Sequence, residues 1–591
     1  MTPAPPQAAE TPQLTVRAVV AGMAIGAVMC AANVYVVLKT GWSLGVTLSS
    51  TVIAFGLFRA MNAGRLVRRP LGMLENTTVS SVASAAAFMT GGGNMAALPA
   101  LILLTGTRPG TLALVAWFAV IAALGVVIAI PIKRQLIDVE PLPFPLGVAT
   151  ASTLRAMHGT SDGGRTARKL FAAAGVAGLF TLLRDLRSLP ARLPGMLAVP
   201  LSIAGQPASA WSLGVDSSLV LLGGGALMAP RTAWSLLVGA LVTYGALAPA
   251  MVTRGAIAAV DYKHIVEFTA WPGAALLVAS GVFSLALEWR SAGRAVGALV
   301  RALRPSRSFS GPGAGDGEEA PVRWFGLGLA VLSPLAVLLM ALLFGIPWWA
   351  GVLAIPLALV MGVIAGRVTG ETDISPTKAL GPVTQLLYGA MLPAHLTANL
   401  MSANVTGGVG LHAGDLLTDL KAGKLVGASP KRQVVAQLFG VAVGAVAVVP
   451  AFALLVPDAS VLGTPELPAP AVLVWASVSR ALSGGLSDMP PTTRVAAAAG
   501  ALLGVTLTAL ERWLPARARR WVPSAAGLGM AMVIPGSTAT AMFLGSLVAS
   551  ALRRARPGAG ASITLIASGL VAGESVVGMA VALGRAFGLP V

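Results

Sequence analysis

With one cysteine in 591 residues, Cys30, the chain can close no disulfide with itself and has no cysteine-rich metal site. Cys30 reads as a small apolar packing residue. Charge is as scarce: Asp, Glu, Lys and Arg make up 11% of the chain, where a soluble protein would have about a quarter. Too few polar residues remain to clothe a globular surface. With 56% apolar residues and a mean hydropathy of +0.81, the missing solvent must be lipid. Catalytic signatures are absent too. There is no HExxH, no nucleophile elbow, no Walker A sequence and no aspartate-rich prenyl-diphosphate motif. GAGD at Gly313–Asp316 copies the text of an intramembrane protease motif, but it lies in a polar stretch without an apolar helix. These absences disfavour an enzyme and rule out ATP-driven pumping by this chain alone, so any transport would run on an ion gradient or downhill; a membrane scaffold or intramembrane enzyme stays as the less favoured reading. No cofactor and no metal site is expected.

Acidic residues are rarer than basic ones, 22 against 41, giving a net charge of +19. The excess sits between apolar runs, which fits cytoplasmic loops under the positive-inside rule and not a nucleic-acid groove. Arg59–Arg69, Lys133–Arg134, Arg290–Arg307, Lys421–Arg432, Arg512–Arg520 and Arg553–Arg556 are expected in the cytoplasm, together with the amino terminus. Residues 1–13 lack a basic n-region and a cleavage site and read as a disordered tail.

Apolar runs long enough to cross about 30 Å of hydrocarbon recur throughout, from Leu14–Leu38 to Ile563–Ala582. Several exceed one crossing or are cut by Gly and Pro, among them Thr77–Leu104, Ser217–Ala250 and Ala525–Leu552. An all-α polytopic bundle of 14 to 16 membrane segments is expected, some of them broken or re-entrant. A polar stretch at 290–323 reads as a cytoplasmic linker between membrane halves at 14–289 and 324–591. A constant offset of 306 pairs Trp42 with Trp348, Gly45 with Gly351, Gly56 with Gly362, Gly223 with Gly529 and Gly239 with Gly545, which suggests an internal duplication.

Lipid tolerates irregular backbone only where protein or a watery cavity covers it, so Gly/Pro breaks beside polar residues point to a transport path. Five segments qualify. From Glu75, the residues Thr77, Ser80, Ser81 and Ser84 form a stripe at helical spacing that runs into Gly91–Gly93 and Asn94, as in a broken helix. Small hydroxyls that merely let helices pack closely are the plainer alternative, and for Glu75 the alternative is a first-turn carboxylate that favours the helix dipole. Pro143 and Pro145 in LPFPLGVATAS break the helix before a short one ending near His158, as in a re-entrant hairpin or an interfacial loop. Asp373 and Ser375 before Pro376 form a helix start that capping alone explains, while Pro382 and Gln385 in the next turn favour a backbone opened toward a cavity. Asn399, Asn404, Thr406 and Gly407–Gly408 combine amide ligands with unwound backbone, and His412, Asp415 and Asp419 follow on one side of a helix. That helix is either a functional cluster or a solvated one paired with Lys421 and Lys424. Glu574, the one charge between Arg556 and Arg585, is a candidate proton carrier or a protonated packing residue.

Taken together, ENTTVSSVASA, LPFPLGVATAS, TDISPTKALGPVTQLLYG, NLMSANVTGGVGLHAGDLLTDLKAGKLVGASPKRQ, PSAAGLGMAMVIPGSTATAMFLG and IASGLVAGES resemble blocks of the oligopeptide transporter (OPT) family, which includes the yellow-stripe-like carriers of metal chelates. The length and loop pattern look like those of a bacterial member. The resemblance implies a secondary carrier of the inner or plasma membrane, importing oligopeptides or peptide-like metal chelates with protons; a homo-oligomer is compatible with it. It implies that Glu75, Asn76, Thr78 and Ser81 flank the path, with Gln385, Asn399, Asn404, Asp415 and Glu574 near it. Asp415, Asp419 and Glu574 are the residues expected to exchange protons. Many family members carry acidic residues in the FP-G block where this chain has Leu146 and Ser152, which removes groups that could bind a peptide ammonium or a chelated metal.

Overall fold

The structure, a computed structural model, describes residues 12–41, 46–91, 93–159, 163–186, 193–287, 319–372, 377–393, 395–484 and 490–586. Most of the expected linker at 290–323, the Asp373–Pro376 helix start and the tail at 1–11 lie outside the described residues. Nine helices among those described are long and apolar enough to cross a membrane. Shorter helices lie between them.

Helix α1 (Val16–Thr40) is capped by the Thr15 hydroxyl and stopped by Gly41 in the left-handed region. After α2 (Thr47–Ala63), the run from Thr77 to Leu104 divides as its glycines suggest. Helix α3 (Met73–Phe88) ends, Gly93 turns at φ +87°, and α4 (Asn94–Thr105) resumes. Helix α5 (Thr111–Lys133) continues as a π-helical turn, Arg134–Val139. Helix α6 (Pro145–Gly159) starts on Pro145 after Phe144 at φ +42°, and α7 spans Gly163–Asp185. Next come two small antiparallel ladders, Met196–Ala198 with Gly214–Asp216 and Ser202–Ile203 with Gln206–Pro207. Ala204 (φ +49°) and Gly205 (φ +79°) make the tight turn of the second. They are an addition to the all-α expectation. The run at 217–250 divides into α8 (Leu219–Leu227), α9 (Pro230–Val242), a π turn and α10 (Ala248–Thr253). Helix α11 is Tyr262–Leu287.

The remainder runs α12 (Val322–Phe344), α13 (Trp348–Thr372), α14 (Thr377–Met391), α15 (Leu396–Val426), α16 (Pro430–Leu455), α17 (Pro470–Ser483), α18 (Pro491–Trp513), α19 (Ala516–Arg519), α20 (Ala525–Ala531), α21 (Gly536–Ala555) and α22 (Gly560–Ala586). Two expectations are corrected here. Helix α15 runs unbroken through Gly407–Gly408, because neighbours on every side fill the space that an unwound segment would open. Helix α14 likewise continues past Pro382.

Partners are exchanged between the two parts of the chain. Helix α3 rests on α1 and α16, whereas α15 rests on α13 and α5. Helix α7 packs on α22 and α18 on α11; α8 packs on α21 and α22, and α20 on α9 and α11. Small residues allow this. A Cβ on Gly545 would meet the Leu222 carbonyl oxygen at 2.0 Å, and one on Gly239 would meet Ala531 Cβ at 2.6 Å and Leu528 Cδ2 at 3.2 Å. Gly239 and Gly545, like Leu222 and Leu528, differ by 306. The offset fails nearer the amino terminus. By its packing α1 answers to α13, whose first residues differ by 332 (348 − 16), so pairing Gly56 with Gly362 matches α2 to the wrong helix. Helix α12 has no counterpart in this scheme. It exposes Leu327, Val331 and Leu342 on an apolar outer face suited to lipid.

Candidate functional site

At the centre, α15 is buried nearly all round, although its residues include Asn399, Asn404, Thr406, His412, Asp415, Thr418 and Asp419. Asp415 and Asp419 are 5% and 2% exposed, so a solvated helix paired with Lys421 and Lys424 is excluded for them. One α-helical turn puts both carboxylates on the side facing α3 and α16. Gln437 Nε2 donates to Asp415 Oδ2 at 3.2 Å and to Asp419 Oδ2 at 2.9 Å, while Ser84 Oγ donates to Asp415 Oδ1 at 2.5 Å. Gln433 Nε2 donates to the Asp419 carbonyl at 2.9 Å and lies 3.5 Å from Ser81 Oγ. No cation pairs with either carboxylate among the described residues. The sequence reading named Ser81, Asp415 and Asp419 but missed Gln433 and Gln437. Their signal was an amide pair four residues apart in an apolar run.

The other polar positions form separate groups. Gln385 Nε2 donates to Asn399 Oδ1 (3.0 Å) and Ser479 Oγ (3.0 Å), and Asn399 Nδ2 returns a bond to the Gln385 carbonyl. Asn404 accepts from Trp117 Nε1 at 2.8 Å and donates to Asn94 Oδ1 at 2.7 Å, which ties α15 to the α3–α4 break. Asn76 Nδ2 bonds the Thr51 carbonyl and lies 3.2 Å from His158 Nε2. Glu75 is bound by the Arg17 guanidinium and the Thr15 hydroxyl, and accepts the Gly72 N–H at 3.1 Å. Thr78 donates to the carbonyl of Gln13 at 2.9 Å, and the Gln13 amide is bonded to the Ser429 backbone. Gln13 is therefore buried and held, a correction to a tail disordered through residue 13. His412 is buried with neither ring nitrogen bonded.

Glu574 is not isolated. It accepts Arg184 Nη1 at 2.9 Å, the Ser218 hydroxyl at 2.8 Å and the Val220 N–H at 2.8 Å, pinning α22 to α7 and to the first turn of α8. A charge alone in its own run found a partner 390 residues away.

Arg184 opens onto a cavity of about 1020 Å³. Its charged lining is Lys39, Arg184, Asp185, Asp216, Asp261 and Glu466. Burial pushes the Asp216 carboxyl above the usual carboxylate range, against the pull of Lys39 and Arg184. None of the substrate residues expected from sequence lines this cavity; Lys39, Arg184 and Asp216 were missed because each sits at the edge of an apolar run, where a charge reads as an end marker. Lys39 lies 22 residues beyond Arg17 in α1, about 33 Å at 1.5 Å per residue. The cavity and the Arg17–Glu75 pair thus occupy opposite ends of a membrane-length helix.

The other end carries a set of ion pairs. Lys424 Nζ pairs with Asp138 at 2.7 Å and Lys133 with the same carboxylate at 2.9 Å. Lys421 Nζ donates to the Leu142 carbonyl at 2.7 Å, and Arg367 pairs with Glu140 at 2.8 Å. A cavity at one end, ion pairs at the other and a polar core tied to the α3–α4 break are the parts of a membrane carrier.

The chain belongs to the OPT family of transporters: the family model described as OPT oligopeptide transporter protein matches residues 13–584. A Saccharomyces cerevisiae protein named as an oligopeptide transporter is 24% identical, with 95% of each chain covered. The iron-phytosiderophore transporter yellow stripe 1 of Zea mays is 24% identical over 95% of this chain and 89% of its own. A metal-nicotianamine transporter of Oryza sativa is 23% identical over 95% and 91%. The protein is therefore a multi-pass membrane transporter and not an enzyme.

Proposed function

We propose that this transporter is a proton-coupled importer of small peptides or related zwitterions, set in the inner or plasma membrane with its amino terminus in the cytoplasm. The observation that carries the reading is the Asp415–Asp419 pair, buried in the central helix and bonded only by hydroxyl and amide donors. Two carboxylates sharing one amide repel strongly where the dielectric is low, and a shared proton relieves that repulsion. Such a site loads from one side and unloads to the other when the helices around it move. The ion pairs Lys424–Asp138 and Arg367–Glu140 then belong to the closed cytoplasmic gate, and the cavity at Lys39 is the external compartment. The exchanged packing supports two repeats that close around α3 and α15.

Charge in the cavity favours a zwitterion. Four lining carboxylates face two cations, which attracts an ammonium and repels a polyanion. The second reading, import of metal chelates, is favoured by the maize and rice relatives, whose names specify such cargo. Thermal stabilisation of the purified protein by di- to hexapeptides and by chelators, each with and without metal, separates the two. Peptide stabilisation without metal supports the first. Stabilisation by loaded chelates alone replaces it with the second.

A further inference from the structure

Of the cavity's two cations, Arg184 is fully engaged. Its Nε and Nη2 donate to the Asp185 carboxylate at 2.7 and 2.9 Å, and Nη1 donates to Glu574 and to the Ser217 carbonyl, each at 2.9 Å. Lys39 differs. It is 8% exposed, its ammonium sits 5.8 Å from the centre of the Tyr35 ring, and no carboxylate pairs with it among the described residues. A helix C-terminus accounts for a lysine in the last turn of α1, but not for burying its ammonium in a polar cavity where Asp216 attracts it from beyond ion-pair contact. An ammonium removed from water loses hydration that one ring face does not replace.

We propose that Lys39 is the anchor for a carboxylate of the transported substrate, which supplies the direct ion-pair contact that Asp216 does not make. The Tyr35 ring holds the ammonium against the cavity wall, and Arg184, committed to Glu574 and Asp185, frames the seat without competing for the ligand. A peptide C-terminus and a carboxylate of a metal chelate present the same group to it. The inference therefore rests on the carrier reading but not on the choice of cargo.

The test uses the full chain in detergent with three probes: tri-alanine, its C-terminal amide and the nickel–nicotianamine complex. Wild type should bind the free acid about tenfold or more tighter than the amide, as a charge-assisted hydrogen bond implies. Lys39→Gln should erase that gap, and Lys39→Arg should restore most of it. A gap that survives in Lys39→Gln, or wild type that binds acid and amide alike, overturns the assignment. If only nickel–nicotianamine binds, a tenfold loss in Lys39→Gln upholds the Lys39 anchor while the peptide reading falls. Binding unchanged by the substitution overturns the anchor, as does failure of wild type to bind any of the three. Should Lys39→Gln not fold, amine-directed labelling of wild type decides. The bound probe must shield Lys39 from reaction, measured by mass spectrometry, and the amide must not.

Discussion

Asp415 and Asp419 lean on one amide hydrogen-bond donor, the Gln437 Nε2, so the two carboxylates act as a unit. Asp419→Asn should leave a folded protein whose uptake no longer falls as external pH rises; proteoliposomes at fixed internal pH measure this. Persistence of the wild-type pH profile in that variant would remove the pair from coupling. Glu574 makes a different prediction because its partner is a buried arginine. Glu574→Gln leaves Arg184 with Asp185 as its one carboxylate partner among the described residues, and removing one side of a buried pair costs about 3 kcal/mol. A lowered melting temperature is expected, with the pH dependence of any remaining uptake intact. Uncoupled uptake at unchanged stability would return Glu574 to the proton path. All three acids were proton-exchange candidates in sequence; only the fold separates Glu574, which has a cation, from Asp415 and Asp419, which have none among the described residues.

Among the elements, α8–α9 and α20–α21 meet through glycines that leave no room for a methyl group. Gly545→Ala puts a Cβ on the Leu222 carbonyl, and overpacking of this kind costs about 1–3 kcal/mol. Gly326 in α12 has nothing within 4 Å, so Gly326→Ala should be neutral or stabilising by about 0.5–1 kcal/mol through helix propensity. Thermal unfolding of both variants in the same detergent checks the contrast. The break at Gly91–Gly93 was legible because glycines beside a polar stripe weaken a helix. The same signal at Gly407–Gly408 misled: α15 there is sheathed by α5, α13 and α14, and packing restored the helix that propensity disfavours. Pro382 within α14 is a second case.

For the whole molecule, the ion pairs at the Lys424 end make the sharpest claim. If Lys424–Asp138 belongs to a closed gate, bridging positions 424 and 138 with a short bis-maleimide after both are changed to cysteine should stop uptake while leaving the Lys39 cavity accessible. The single native cysteine, Cys30, is buried and should not react. Uptake that continues at the wild-type rate after complete cross-linking would show that this contact does not open during transport.

Composition and patterning were enough to establish a multi-pass helical membrane protein, because burying apolar runs in lipid depends on residue type and run length alone. Family blocks carried the transporter assignment for a similar reason: local sequence records where helices break and which polar residues stand beside the breaks. Partnership was decided only in three dimensions. Arg184 reaches Glu574 across 390 residues, Gln437 bridges two aspartates from another helix, and Lys39 turns into a cavity assembled from both parts of the chain. A charge in a low-dielectric interior takes its role from its neighbours, and those neighbours are set by tertiary packing.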